Sequence, residues 1–420
     1  MARTTKLERI ALAAVLATTL LAGLANHGAW AAIPRFVIAT LALLGLAWTV
    51  TFATEQVGGH LGPNITGVLQ ATLANLPELF VIVFALHAGE LIVAQTAIVG
   101  SMLANALLLL GLVIVVGASK ASDGVMRFGR RLPNDTVTLL LMMLFVVVLC
   151  SPSLGVDRHF SHVRTVSLVS AGCMLAVYGV WLLGYLPGRK QRASRVVDGA
   201  GDANADANAD ANAEAAADAA AADANADAAA ADVDAAADVD AAVADVDAAA
   251  DAAAEADSTQ PAREADLPRL SLRTSLILLL LGGAGSAFVS EWFVDAIRPA
   301  THSLHISLPF AGLVIVALAG NAVEHSASVA LAAKGRSELA ISVVKSSVGQ
   351  IAGFLYPLAV IVSVAFSTRL TFALAPVYIG ALALMTLVVW QVSGDGEATA
   401  FEGWALIALY VIVAVVAAYQ

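Results

Sequence analysis

Residues 317–330 read "ALAGNAVEHSASVA". The stretch is apolar enough for the middle of a membrane helix, yet it holds Asn321, Glu324 and His325. A carboxyl group in hydrocarbon is expensive and marks a functional position. An earlier stretch, "ATLANLPELFVIVFAL" (71–86), carries the same Asn-x-x-Glu spacing, so that Asn75 and Glu78 match Asn321 and Glu324 at an offset of 246. Eleven residues after each Glu comes a glycine, Gly89 and Gly335, each in a short loop. The apolar span before each motif ends near another Glu, Glu55 in "ATEQ" and Glu291 in "VSEW". Three coincidences of this kind point to an internal repeat.

The rest of the chain agrees with a membrane setting. Of 420 residues, 59% are hydrophobic and 13% are charged, and the mean hydropathy is +0.82. Soluble domains carry about twice that share of charge. Eleven apolar spans are expected, at roughly 10–30, 35–54, 64–87, 92–118, 133–152, 164–185, 272–295, 306–333, 339–366, 370–391 and 401–419. Runs of about 20 apolar residues cross a bilayer as helices, which satisfy their own backbone. The expected fold is therefore an all-α polytopic membrane protein with about 11 transmembrane helices. Residues 1–34 form an N-terminal helix, with "AWAA" as an alternative signal-cleavage site. Two five-helix repeats follow, 35–190 and 269–420, separated by a low-complexity linker at 191–268. An odd number of spans per half inserts the two halves in opposite directions, the inverted-repeat plan of many transporters.

Residues 202–257 hold 16 acidic residues and no Lys or Arg, so the formal charge of −11 belongs to this one segment. It has no apolar stripe to bury and reads as a solvated spacer. With the N-terminus inside, the cytoplasmic segments carry 16 Lys and Arg and the outer ones five. This asymmetry places the N-terminus and the acidic linker in the cytoplasm. The two cysteines, Cys150 and Cys173, lie in apolar runs and make neither a disulfide framework nor a cysteine metal site. His302 and His305 lack the spacing of a helical zinc-hydrolase motif.

Asn and Glu three apart share a helix face. Two such faces, one per half, bring two carboxylates and two amide oxygens together, the hard oxygen ligands a divalent cation prefers. Glu78 and Glu324 are the expected metal ligands, with Asn75 and Asn321 completing the cation and proton site. Emptied of cation, two facing carboxylates in a low dielectric favour protonation. Cation and protons then compete for the same oxygens, which is sufficient for exchange. Ser101 and Asn105 in "GSMLAN", and Ser346, Ser347 and Gln350 in "KSSVGQ", are candidate supporting groups on the next helix of each half. His325 is a candidate hydrogen-bonding or relay group, and Glu55 and Glu291 lie on a candidate ion or proton route.

At "GNAVEH" (320–325) and its flanks the chain resembles the calcium/proton exchanger branch of the calcium/cation antiporter superfamily. The resemblance covers 40–118 and 280–366 best. It implies eleven helices, an acidic cytoplasmic segment between the halves and a central site. The family's motif glutamates fall on Glu78 and Glu324, its asparagines on Asn75 and Asn321, and its histidine on His325. Its later polar positions fall on Ser101, Asn105 and Gln350, and its acidic residues on the preceding spans fall on Glu55 and Glu291. The first motif departs from Gly-Asn-Ala-Thr-Glu: it reads Ala74-Asn75-Leu76-Pro77-Glu78. Lys345 precedes the second-half serines. The expected activity is Ca²⁺/H⁺ exchange exporting Ca²⁺ from the cytoplasm of a bacterium across its inner membrane. Na⁺, K⁺ or Mn²⁺ are the alternative ions, and a channel or a non-transporting sensor is the alternative class. No cofactor and no nucleic-acid partner are expected; the partners are the bilayer, the cation and protons.

Overall fold

The computed structural model describes residues 5–28, 30–61, 69, 72–73, 75–121, 123–128, 162–183, 270–393 and 396–420. The expected span at 133–152, most of 64–74 and the linker lie outside the described residues. Ten helices are described: α1 (Lys6–His27), α2 (Ala32–Leu61), α3 (Leu76–His87), α4 (Leu91–Lys120), α5 (Val163–Leu183), α6 (Leu272–Leu304), α7 (Leu308–Ala333), α8 (Ser337–Ala365), α9 (Pro376–Ser393) and α10 (Ala400–Ala418). Eight are long and apolar enough to cross a membrane, and α3 and α9 are shorter apolar helices. The chain is a multi-pass membrane protein.

Local chemistry sets the ends. Thr5 with Glu8 and Thr399 with Glu402 form capping boxes at the starts of α1 and α10. Ser271 caps α6. The matched glycines close the matched turns: Gly89 after α3 has φ +83° and Gly335 after α7 has φ +73°. This left-handed conformation ends a helix without a Cβ penalty.

The halves interlock. The long helices α2 and α6 lie against each other, α3 rests on α6, and α7 rests on α2. Each motif helix thus packs on the long helix of the other half. The first part of α4 packs on the start of α7, while α8 touches both α3 and α4. At the α4–α7 crossing the backbones meet. A Cβ on Gly100 would lie 2.7 Å from the carbonyl carbon of Leu313, and one on Gly312 would overlap Thr96. Gly111 and Gly403 do the same for α4 and α10, where an added Cβ would fall 2.6 Å and 2.7 Å from the other glycine's carbonyl oxygen. Small residues permit such close helix contact in membranes. The N-terminal helix α1 packs on α2 and α6, with Val15 against Gly45 and Gly23 against Trp292.

Among the described residues three helices contain a π turn: α4 at Ala104–Leu109, α7 at Ala311–Val316 and α8 at Ile351–Leu355. Those of α4 and α8 occupy matching places in the two halves. Such turns concentrate at functional sites.

Several expected boundaries shift. α2 runs on to Leu61 and α6 to Leu304, so Glu55 and Glu291 lie within helices rather than near their ends. The expected span at 370–391 becomes helical only at Pro376. Residues 367–375 run as irregular chain, with Leu370, Phe372 and Leu374 buried. Irregular backbone buried in the protein needs partners there. Tyr356 donates its hydroxyl to the Thr371 carbonyl at 3.0 Å, Gln95 its amide to the Ala373 carbonyl at 2.7 Å, and the Phe372 N–H donates to Ser167 Oγ at 3.2 Å.

The strands were not foreseen. β1 (Val125–Arg127) pairs antiparallel with β2 (Glu397–Thr399), Met126 opposite Ala398. The ladder joins the segment after α4 to the segment before α10. Arg127 bonds Asp123 at 2.6 Å and faces Glu397 at 3.6 Å. The guanidinium holds the Asp123 carboxyl below its ordinary range. A second ion pair joins the halves: Arg298 of α6 meets Glu90, before α4, through two bonds of 2.6 and 2.7 Å. The Arg298 side chain is 65% exposed and that of Glu90 12%, so the two-bond pair is worth on the order of 1 kcal/mol. Glu90→Gln is expected to lower thermal stability slightly, and the charge swap Glu90→Arg with Arg298→Glu to restore part of it. A swap no better than the single variants would show that the two charges do not act on each other.

Candidate cation-binding site

The first motif sits at a helix start. Asn75 occupies the N-cap of α3, and Pro77 lies in its first turn, where a missing N–H costs nothing. Glu78 is therefore also in the first turn, where free N–H groups and the helix dipole favour a negative charge. Its side chain is 1% exposed. The second motif lies inside the continuous helix α7, and Glu324 is partly buried there. Gly320 lets α7 come close to the first motif: a Cβ there would lie 3.6 Å from Cβ of Glu78. Glu324 lies one turn further along α7 from this contact.

A chain of polar contacts runs from Glu78 through both halves. Ser101 of α4 donates its hydroxyl to Glu78 Oε1. Asn321 Nδ2 donates to Ser101 Oγ at 3.0 Å and to the Ala317 carbonyl at 2.9 Å. Asn105 Nδ2 donates to Asn321 Oδ1 at 3.2 Å and to the Ser101 carbonyl at 3.0 Å. His325 Nε2 lies 3.1 Å from Asn105 Oδ1. The mirror set is shorter. Asn75 Nδ2 donates to Gln350 Oε1 at 3.2 Å, and Gln350 Nε2 donates to Ser346 Oγ at 2.9 Å. Each motif asparagine thus pairs with the later-helix amide of the opposite half.

Among the buried oxygens of the described residues that close no hydrogen bond are Glu78 Oε2, Glu324 Oε2 and Ser347 Oγ. Ser347 lies beside Glu324 as Ser101 lies beside Glu78, but its hydroxyl closes no hydrogen bond. Unpartnered buried oxygens are costly. Two carboxylates, a hydroxyl and an amide oxygen are hard donors that fit Ca²⁺ as a substrate. The same carboxylates accept protons.

The structure brings Glu78, Ser101, Asn105, Asn321 and His325 into one set, Asn75, Gln350 and Ser346 into a second, and Glu324 and Ser347 side by side. Glu55 and Glu291 are exposed on α2 and α6 and bond to neither set. The hydroxyls just before them are the buried groups: Thr54 has no partner, and Ser290 Oγ is 3.5 Å from the Pro77 carbonyl. Sequence reasoning passed over this pair, although Thr54 and Ser290 share the 236-residue offset of Glu55 and Glu291.

Comparison with known proteins gives the same architecture. A Ca²⁺/H⁺ antiporter of Synechocystis sp. is 27% identical over 387 residues, covering 92% of this chain and 91% of the relative. The Ca²⁺/H⁺ antiporter ChaA of Bacillus subtilis is 24% identical over 386 residues, 92% of each chain. The solved structure of native YfkE superposes with a TM-score of 0.69 at 22% identity, covering 98% of this chain and all of that one, and shares the fold. The sequence profile of sodium/calcium exchanger proteins matches residues 31–186 and 274–419, nearly the whole of both halves and neither the linker nor the first helix. The chain belongs to the sodium/calcium exchanger protein family.

Proposed function

We propose that the chain is a Ca²⁺/H⁺ antiporter that exports Ca²⁺ from the cytoplasm of a bacterium across the inner membrane by alternating access. The observation that carries this reading is the pair of membrane carboxylates, Glu78 and Glu324, one from each half, each with a buried oxygen left unpartnered. Two negative charges facing each other in a low dielectric repel and are not stable together. The pair is relieved by a divalent cation or by protons. A site that turns from one side of the membrane to the other loaded, but not empty and charged, couples the two flows. Asn75 and Asn321 complete the polar surroundings, and Ser101 and Ser347 tune the two carboxyls. The names of the Synechocystis and Bacillus relatives support the choice of Ca²⁺.

One observation favours a second reading of the ion. Lys345 is buried on α8, next to Ser346. Were its ammonium turned toward the two carboxylates, the site would keep one net negative charge, which suits Na⁺ or K⁺; Mn²⁺ fits the oxygen donors as Ca²⁺ does.

Everted membrane vesicles carrying the protein and an imposed pH gradient test both readings. Addition of Ca²⁺ is expected to discharge the gradient. A response to Na⁺ or K⁺ but not to Ca²⁺ would replace the ion, and cation flux indifferent to the pH gradient would replace antiport by a channel. The acidic linker is read as a cytoplasmic spacer. Deleting 202–257 is expected to leave exchange within about twofold of the parent, because a solvated segment without an apolar stripe contributes little to a packed site. A larger loss would assign the linker a part in transport.

A further inference from the structure

The hydrogen bonds from His325 to Glu78 have a fixed direction. An amide can face a neighbour with either end, but the backbone removes that choice at both asparagines. Asn321 Nδ2 lies 2.9 Å from the Ala317 carbonyl and Asn105 Nδ2 lies 3.0 Å from the Ser101 carbonyl. A carbonyl only accepts, so the NH₂ end of each amide must face its own helix. Asn321 Oδ1 is then the acceptor for Asn105, and Asn105 Oδ1 must itself accept from His325. The ring nitrogen 3.1 Å away has to carry a proton. Every bond then runs one way: His325 to Asn105, Asn105 to Asn321, Asn321 to Ser101, Ser101 to Glu78.

We propose that His325 is a positioning residue: as an Nε2–H donor it ends a one-way chain that aims the Ser101 hydroxyl at Glu78, and it passes no proton along that chain. A relay would require both amides to flip, which would break their bonds to the Ala317 and Ser101 carbonyls and leave those carbonyls facing oxygens. Asn321 thus holds Ser101 through its nitrogen and accepts from Asn105 through its oxygen, while Asn75 meets Gln350 across the halves. The first half has no equivalent of His325: the matching position is Leu79.

This inference rests on the exchange reading for its transport arm only. The direct test is the tautomer, read from nitrogen–proton correlation spectra of the full-length protein labelled with ¹⁵N-histidine. The signal lost in His325→Gln identifies the ring. A neutral ring protonated on Nε2 is expected, and a neutral ring protonated on Nδ1 would overturn the proposal whether or not the protein exchanges Ca²⁺. In vesicles, His325→Leu is expected to lose about tenfold or more of its Ca²⁺-driven proton flux, because Asn105 Oδ1 is left buried without a donor. His325→Gln places an N–H where Nε2 stood and is expected to recover most of that loss. A Gln variant as slow as the Leu variant, folded and inserted to the same level, would show that a titrating ring is required and would restore the relay. Absence of Ca²⁺-driven flux in the parent protein would remove the exchange reading and leave the tautomer assignment standing.

Discussion

Glu324→Gln is expected to lower Ca²⁺-driven proton flux by at least about 100-fold while leaving the amount of folded protein in the membrane unchanged. Gln keeps the size of Glu and most of its hydrogen-bonding capacity, so the packing of α7 against α2 is preserved. What is lost is one of two negative charges. A hydrogen bond or ligand contact to a charged group is worth about 1.5–3 kcal/mol, and 1.4 kcal/mol is tenfold. The loss of a cation ligand with a buried, otherwise unpartnered oxygen belongs at the upper end of that range. Glu78 alone leaves a divalent cation half neutralised and gives protons only one place to compete. Flux measured in vesicles with matched protein levels checks this. A variant that exchanges at the parent rate would end the central-site reading, since no other carboxyl among the described residues stands beside Glu78 in this way.

The second large effect concerns the fold. Gly100→Leu is expected to destabilise the protein by about 3 kcal/mol or more, the upper range for overpacking a site where the neighbour is backbone and cannot swing aside. Even the first carbon of the new side chain would lie 2.7 Å from the Leu313 carbonyl carbon. α4 and α7 would be pushed apart, and the Asn105–Asn321 pair lies further along the same two helices. The protein is expected either to fail to accumulate or to unfold at a clearly lower temperature in detergent, followed by fluorescence-detected size exclusion. Gly172→Leu on α5, where an added Cβ meets no atom of the described residues within 4 Å, serves as the matched control and should be close to neutral. Equal behaviour of the two variants would mean that the close crossing does not hold the halves together.

The central residues were legible because a carboxyl group in an apolar helix stands out, and because its twin sits at a constant offset. Gly89 and Gly335 were legible for the same reason, and both carry the left-handed backbone that a glycine turn permits. The pairing of amides across the halves was not. Nothing in the spacing of Asn105 or Gln350 says that each meets the asparagine of the opposite repeat, since that depends on which helices cross. Span ends were blurred because hydropathy falls off at polar residues that a long helix simply carries outward, as at Glu55 and Glu291. The chain at 367–375 was read as the start of a span for the opposite reason. It is as apolar as a helix, and only its hydrogen bonds to Tyr356, Gln95 and Ser167 show that it is held open. β1 and β2 are three residues each and depend on one another, so neither has a pattern of its own.

The π turns bear on the history of the chain. A helix that gains one residue can hold it as a π turn, leaving the register on either side intact. α4 has such a turn beginning one residue before Asn105, and α8 has one beginning just after Gln350. Independent gain of an insertion at matching places beside an amide in each half requires two events. A single insertion in an ancestral half, copied when that half was duplicated, requires one. On this order of events the bulge is older than the two-half molecule, and the half that first carried it already had a polar amide to place.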